Sequence, residues 1–417
     1  MAIKFNKQKI NTFLQYILVF FIVLESRSIF SRLLNNYLNT FIIINLILVL
    51  LLIIVLNFRS KIQKQYVLFI IMYYIFMLPF LLISAREYMI NFIIIFLILL
   101  PLFFIIFCLY KVSNIHDLAK IYVDTIFVLS IISIFFYISG SLLKLIPANI
   151  RVVIDWGGVR EISGYFYLHF NSQTTVIMNE TILRNTGIFV EGPMFALHLM
   201  FAMVLSLKRH RKILDKYSIV FGITIFSTLS ITGILYYLFI LLYKYIVFYK
   251  AKIKVILLPV IFISILISSM ILFTDKQSTN SYNIRNDDYS VGFHVFNEYP
   301  IFGSGFLNYD IVKKYMSAFR MYNTGLSSSF IIILAQGGIY LTLFYLIPMV
   351  INYIKLYSNR KTNIVLFQLM PLQLYLMFSS TYQYSSLMMI LLAFDYYILI
   401  SNKKNIENTG LERKEIL

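Results

Sequence analysis

Apolar residues run along this chain in long blocks, each ended by charge, glycine or proline, in place of the strict alternation that marks a half-buried strand. A helix needs about 20 such residues to cross a bilayer core of roughly 30 Å. The blocks predict spans near residues 11–24, 40–56, 66–84, 89–109, 121–139, 193–207, 217–231, 234–248, 255–273, 327–349, 363–380 and 385–400. The expected fold is all-α, a polytopic integral membrane protein of about twelve transmembrane helices. The blocks 217–231 and 234–248 are short, since 15 residues rise only about 22 Å. A hairpin that turns below the outer surface, around Thr232 and Gly233, is expected there. No internal repeat is evident.

Two connections are far longer than a tight helix turn, 140–192 and 274–326, and long loops tend to carry function. Both mix aromatics with Gly, Asn, Ser and charge and are expected to fold against the membrane. The organisation is therefore membrane helices over 1–139, a loop over 140–192, central helices over 193–273, a second loop over 274–326, C-terminal helices over 327–400 and a tail over 401–417.

Composition agrees: 60% of the 417 residues are hydrophobic and 13% charged, which no soluble domain requires. The formal net charge of +18 could point to nucleic acid, but the basic residues lie in short clusters between apolar blocks, as membrane topology demands. Nucleic acid is thereby excluded as a partner, and the lipid bilayer takes its place. The clusters are Lys4, Lys7 and Lys9; Arg59, Lys61 and Lys64; Lys208, Arg209, Arg211 and Lys212; Lys250, Lys252 and Lys254; Lys355, Arg360 and Lys361; and Lys403 with Lys404. All fall on one side, which the positive-inside rule makes the cytoplasm, so both termini are expected inside. Met1 to Lys9 precede an apolar block without a clear small-residue cleavage site, which favours a retained first span over a signal peptide. Cys108 is the single cysteine, so neither a disulfide framework nor a thiolate metal site is available.

The outer side has a different basic chemistry. Arg27, Arg32, Arg86, Arg151, Arg160, Arg184, Arg285 and Arg320 stand there against Lys144, Lys276, Lys313 and Lys314, whereas lysine predominates inside. A guanidinium fork binds phosphate or carboxylate in bidentate fashion and stays charged at any physiological pH. A pyrophosphate at the membrane surface fits that preference. The alternative is that these arginines pair with the outer acids Asp155, Glu161, Asp287 and Asp288 or with anionic head groups.

The most informative stretch runs from Arg184 to Pro193. Pro193 reads as a first helical position, where its fixed φ suits the helix and its missing donor costs nothing. The helix would then point its N-terminus outward, offering free N–H groups and the positive dipole end to an anion, with Arg184 completing the pocket. Glu191 at the same entrance is either a base that accepts a proton from an attacking sugar hydroxyl or a plain helix-start carboxylate. In the second loop, Gly303 and Gly305 permit a close backbone approach, to a phosphate or in a turn without ligand. His294 is the only histidine of that loop and could serve acid–base work or hydrogen-bond a sugar. A metal site has little support, because the histidines are scattered and the neighbours Asp287 and Asp288 should point different ways. Small residues in Ser327-Ser328-Ser329 and Gln336-Gly337-Gly338 suit close helix packing.

Three features, in order, resemble the O-antigen polymerase and O-antigen ligase family, the Wzy-type polysaccharide polymerases. They are Arg184-x-x-Gly187-Ile188-Phe189-x-Glu191-x-Pro193 opening a span, Leu229-Ser230-Ile231-Thr232-Gly233 at the hairpin, and Pro300-Ile301-Phe302-Gly303-Ser304-Gly305 followed by a span with Gln336-Gly337-Gly338. The resemblance covers residues 184–348 and implies a bacterial cytoplasmic-membrane glycosyltransferase without metal or cofactor. Its substrate would be undecaprenyl-pyrophosphate-linked oligosaccharide, and its chemistry an inverting transfer with the pyrophosphate lipid as leaving group. Catalysis would rest on Glu191 and Arg184, and substrate binding on Arg285, Arg160, Arg151, Arg320, His294, Gly303 and Gly305. Related transferases also use an acid in the first outer loop, where this chain offers Glu25. A chain-length regulator and a flippase are the partners the family implies, and capsule or O-antigen the products. Ser327-Ser328-Ser329 stands where ligases tend to have a histidine, which favours polymerase over ligase. The rival is a lipid-linked oligosaccharide flippase, which would need polar residues along a route through the spans.

Overall fold

The computed structural model of the chain describes residues 7–34, 37–58, 62–83, 88–110, 112–177, 180–207, 212–248, 280–320, 325–357 and 363–401. The first five helices are α1 (Lys7–Glu25), α2 (Tyr37–Asn57), α3 (Lys64–Ile83), α4 (Met89–Leu109) and α5 (Val112–Phe136), the last prolonged by a wider π-helical turn (Tyr137–Leu142). After a β-rich segment come α6 (Gly192–Ser206), α7 (Lys216–Ser227), α8 (Ile231–Phe248), α9 (Asn280–Glu298), α10 (Tyr309–Lys314), α11 (Ser329–Tyr357), α12 (Ile364–Ser379) and α13 (Ser386–Ile400). Six of these, α1 to α5 and α11, are long and apolar enough to cross a membrane, and α6, α7, α8, α12 and α13 are shorter apolar helices. The protein is thus a multi-pass membrane protein. Eleven of the twelve expected spans coincide with a helix; the one at 255–273 lies outside the described residues. So do Lys4, Arg59, Lys61, Lys208, Arg209, Arg211, Lys250, Lys252, Lys254, Arg360, Lys361, Lys403 and Lys404 of the basic clusters, and Arg86 and Lys276 of the outer set.

The all-α expectation holds for the membrane helices and fails between α5 and α6. There β1 (Ile150–Asp155), β2 (Val159–Tyr165) and β3 (His169–Asn171) form an antiparallel sheet in the order β1-β2-β3, and β4 (Thr174–Ile177) pairs with β5 (Glu180–Leu183) in a hairpin. The physical reason is a short period-two pattern: Ile150, Val152 and Ile154 alternate with Arg151, Val153 and Asp155. One face then buries Ile154, Ile162 and Phe170 with Ile29 and Val190, and Trp156 packs at its margin. Gly157 and Gly158, at φ 64° and 99°, make the β1–β2 turn in a conformation that side chains resist. The edge of β1 is covered by residues 28–34, where Leu34 N donates to Val153 O at 3.1 Å.

The chain divides into two compact units, one of Met1–Ser26, Thr40–Ile121 and Arg285–Leu417, the other of Arg27–Asn39 and Tyr122–Ile284. In the first, α13 packs on α4, and α11 packs on both α12 and α13. Helix α11 is broken at Gly338, with φ 57° and ψ −159°. The loop 300–305 satisfies the groups this break frees: Ser304 N and Gly305 N donate to Ala335 O and Gln336 O at 2.9 and 3.0 Å, and Ile339 N and Tyr340 N donate to Pro300 O and Ile301 O at 2.9 and 3.0 Å. In the second unit α6 packs against α7 and α8, which form the expected hairpin, turning slightly earlier than predicted, at residues 228–230. Asp215 caps α7, accepting from Tyr217 N and Ser218 N at 2.9 and 3.0 Å, and Lys244 of α8 reaches back to it at 2.9 Å.

Candidate functional site

Helix α6 starts as its sequence predicts, with Glu191 as N-cap in extended conformation and Pro193 in the first turn. Its N-terminus is nevertheless not the open anion nest expected of it. Gly192 N donates to Gln173 Oε1 at 3.0 Å, Pro193 has no donor, and Met194 N and Phe195 N both return to Glu191 O at 3.2 and 3.3 Å. The link between β3 and β4 supplies the side chain that fills the place, which spacing along the chain could not reveal.

Arg184 leaves β5 and turns to the α7–α8 hairpin. Its Nε donates to Thr228 O at 2.8 Å and its Nη2 to Leu229 O at 3.3 Å. These are carbonyls at the C-terminal end of α7, where a cation also meets the negative end of the helix dipole. Burial pulls this guanidinium down to about 10 and Glu191 opposes the shift, so it remains cationic at neutral pH. Asn185 fastens the same segment, its N donating to Ser227 O at 3.0 Å and its Nδ2 to Ser227 Oγ at 2.9 Å. Gly192 is required beneath the guanidinium, since a Cβ there would lie 2.6 Å from Thr228 O and 3.0 Å from Arg184 Nε. The Arg184–Pro193 and Leu229–Gly233 motifs, 45 residues apart between Arg184 and Leu229, are therefore one piece of structure.

Trp156 supplies a group that sequence reasoning did not single out. Its Nε1 donates to Glu191 Oε1, and its ring carries two cations, Arg27 with Cζ 4.7 Å from the centroid and Arg32 at 5.3 Å. Arg27, at φ 58°, is held by its own carbonyl, which accepts from Val190 N at 3.2 Å. Through Trp156 this corner brings Arg27 and Arg32 to Glu191, which also acts on Arg184, in half-buried surroundings. Arg27 and Arg32 were legible as outer arginines, and Trp156 as the only tryptophan, but their meeting depends on β1 pairing with residues 28–34. Arg160 is exposed opposite Ile154, at the end of the sheet next to Trp156, and Arg151 is exposed opposite Ser163.

The remaining sequence-derived residues lie in the other unit. Arg320, 3% exposed, is enclosed: its Nη1 lies 3.1 Å from Asp287 Oδ2 and 2.6 Å from Asp288 Oδ1, and its Nη2 donates to Gly325 O at 2.7 Å. The two aspartates thus do not diverge as expected, because neighbours on a helix are only about 100° apart and one long guanidinium spans both. Burial raises the Asp288 carboxyl, while Ser327 and Arg320 draw it back. Arg285 is exposed on α9 within electrostatic reach of Tyr375. His294, also exposed, stacks on Tyr315 at 6.0 Å and 7°. Gly303, at φ 68°, approaches protein backbone: a Cβ there would lie 2.3 Å from Gln336 C, which only glycine avoids. Gly305, at φ 100°, belongs to the same loop. Glu25 caps α13, its Oε2 accepting from Ser386 N at 2.7 Å and Ser386 Oγ at 2.6 Å. Ser328 and Ser329 donate to Met377 O and Ser380 O at 3.1 and 2.8 Å, fastening the start of α11 to the end of α12.

Of the two motif pairs, one braces the α7–α8 hairpin and the other closes the α11 break. An O-antigen ligase (Wzy_C) domain occupies residues 217–346. This O-antigen ligase domain begins in α7 and ends within α11, so it contains Arg285, His294, Gly303, Gly305 and Arg320. Arg184, Glu191 and the Trp156 corner precede it. No curated protein matches the chain. The domain and the multi-helical membrane fold together support a polysaccharide-polymerase or glycosyltransferase-like role in general.

Proposed function

We propose that the protein is a Wzy-type polysaccharide polymerase that joins undecaprenyl-pyrophosphate-linked oligosaccharides on the outer face of the cytoplasmic membrane. The observation that carries this reading beyond the family domain is the Trp156 corner, where the ring that carries Arg27 and Arg32 donates to Glu191 beside a helix entrance and Arg184 acts on the same carboxylate. Such a group of guanidiniums suits a pyrophosphate, whose oxygens accept paired N–H groups from them. In the reaction an acceptor hydroxyl attacks the anomeric carbon of the donor sugar, Glu191 takes the hydroxyl proton, and the bond to the pyrophosphate oxygen breaks with its electron pair leaving on the lipid pyrophosphate. Arg27 and Arg32 stabilise that growing charge, and Arg184 fixes Glu191 and the hairpin in place. Arg160 and Arg151 extend the cationic surface along the strands. Arg285 and His294 are separate sugar contacts on α9, Gly303 and Gly305 shape their loop, and Arg320 holds it. No metal or cofactor enters. The family description itself favours a second reading, a ligase that moves a finished glycan to its final acceptor.

The test is deletion of the gene in its own host and restoration with wild type or with the Arg27→Ala/Arg32→Ala double variant, followed by sizing of surface glycan and lipid-linked intermediates. A ladder collapsed to single repeats, in the deletion and the variant at normal protein level, supports polymerase. Long lipid-linked chains that never reach an acceptor mean ligase, and single repeats trapped on the cytoplasmic face mean flippase. An unchanged ladder sinks the enzyme reading.

A further inference from the structure

Three apolar helices of the first unit bury a polar group that the glycan chemistry does not use. Asn352 of α11, Gln373 of α12 and Asp395 of α13 are each 0% exposed. Asn352 Nδ2 donates to the Asp395 main-chain oxygen at 2.7 Å, and Gln373 Nε2 lies 3.5 Å from Asp395 Oδ1. Both amide nitrogens are thus turned to residue 395. What remains is oxygen alone: Asp395 Oδ2, Asn352 Oδ1 and Gln373 Oε1 have no hydrogen-bond partner among the described residues.

Three buried acceptors without a donor are costly, and an ionised carboxylate among apolar helices is costlier unless a positive charge accompanies it. No lysine, arginine or histidine among the described residues forms an ion pair with Asp395. Carboxylate and amide oxygens are the ligands of hard cations. One carboxylate with two neutral amides balances a single positive charge, whereas a divalent ion would leave a net charge in a low-dielectric interior. We propose that Asp395, Asn352 and Gln373 form an intramembrane site for a monovalent alkali cation, which ties α11, α12 and α13 together. The site is independent of the polymerase reading.

The test uses the full-length protein purified in detergent and exchanged into choline chloride. Na+ is then added at constant ionic strength, and bound 22Na+ and the thermal unfolding midpoint are read together. Saturable binding of one ion per chain, with a midpoint that climbs as the site fills, is expected. Asp395→Asn removes both responses. Gln373→Leu keeps the carboxylate and weakens binding about tenfold or more, which preserves the test should the aspartate variant not fold. Wild type that binds neither Na+ nor K+ above the choline baseline overturns the proposal, as does an Asp395→Asn variant that still binds.

Discussion

Arg320 lies between two carboxylates with 3% of its surface exposed, whereas Arg27 and Arg32 lie over a tryptophan ring whose N–H is turned to a single carboxylate. The first cluster has more negative than positive groups and is sealed by Ser317, Ser327 and Gly325, with Ser317 Oγ 2.5 Å from Asp287. The second stacks its arginines on an aromatic ring and is half-buried at the margin of a sheet. On the proposed function, the preference for arginine among the outer residues has two causes in one chain. A guanidinium can hold a loop by bridging acids, or it can gather with others to meet an anion from outside.

The largest effect that separates the two is expected at the sealed cluster. Arg320→Ala leaves Asp287 and Asp288 uncompensated and should cost about 3–5 kcal/mol of stability, read as a lower unfolding midpoint in detergent and lower protein level. Arg320→Lys should recover only part of this, since an ammonium lacks the fork that reaches both acids and Gly325 O. If Arg320→Ala were as stable as wild type yet made no polymer, the contrast between a structural and an anion-facing arginine would fail.

The membrane helices were legible because hydrocarbon imposes one simple pattern, about 20 apolar residues bounded by charge. Pro193 and Gly303 were legible because their backbones are special whatever surrounds them, whereas Gly338, read as a helix-packing residue, breaks α11 instead. The sheet was not, since its strands are three to seven residues long and their alternation is drowned by the apolar blocks on either side. Without the sheet, neither Gln173 over the α6 entrance nor Trp156 between Arg27 and Arg32 could be foreseen. Asp395 and Gln373 were missed for another reason: single polar residues inside apolar blocks do not interrupt them, so a scan for spans passes over them.

The next effect concerns a buried titratable group in the second unit that is not compensated as Arg320 is. His169 on β3 is fully buried, neither ring nitrogen has a hydrogen-bond partner among the described residues, and burial lowers it to about 4. In the unfolded chain the same imidazole takes a proton near 6.5, so the unfolded state binds more protons between these values. Stability is then full above about 6.5 and declines as pH falls toward about 4, by roughly 2 kcal/mol at pH 5. Unfolding midpoints at pH 7 and pH 5 should show this slope in wild type and a flatter one in His169→Phe. An unchanged slope in the variant would place the acid sensitivity elsewhere.

The smallest effect tests the open cluster at its centre. Trp156→Phe keeps a ring for Arg27 and Arg32 to cover, though with a weaker face, and deletes the N–H that Glu191 accepts. Losing one hydrogen bond to a charged group at a half-buried position is worth about 1.5–3 kcal/mol at most, and solvent reaching Glu191 replaces part of it. The glycan ladder should shorten and total polymer fall by about fivefold, equivalent to roughly 1 kcal/mol, at unchanged protein level and unfolding midpoint. Trp156→Ala, which removes the ring as well, should fall further, because the two guanidiniums lose the surface that aligns them. Equal losses in the two variants would mean that the hydrogen bond to Glu191 governs the corner and the cation stack does not; no loss in Trp156→Phe would assign the work to the stack and leave Glu191 to be held by Arg184 alone.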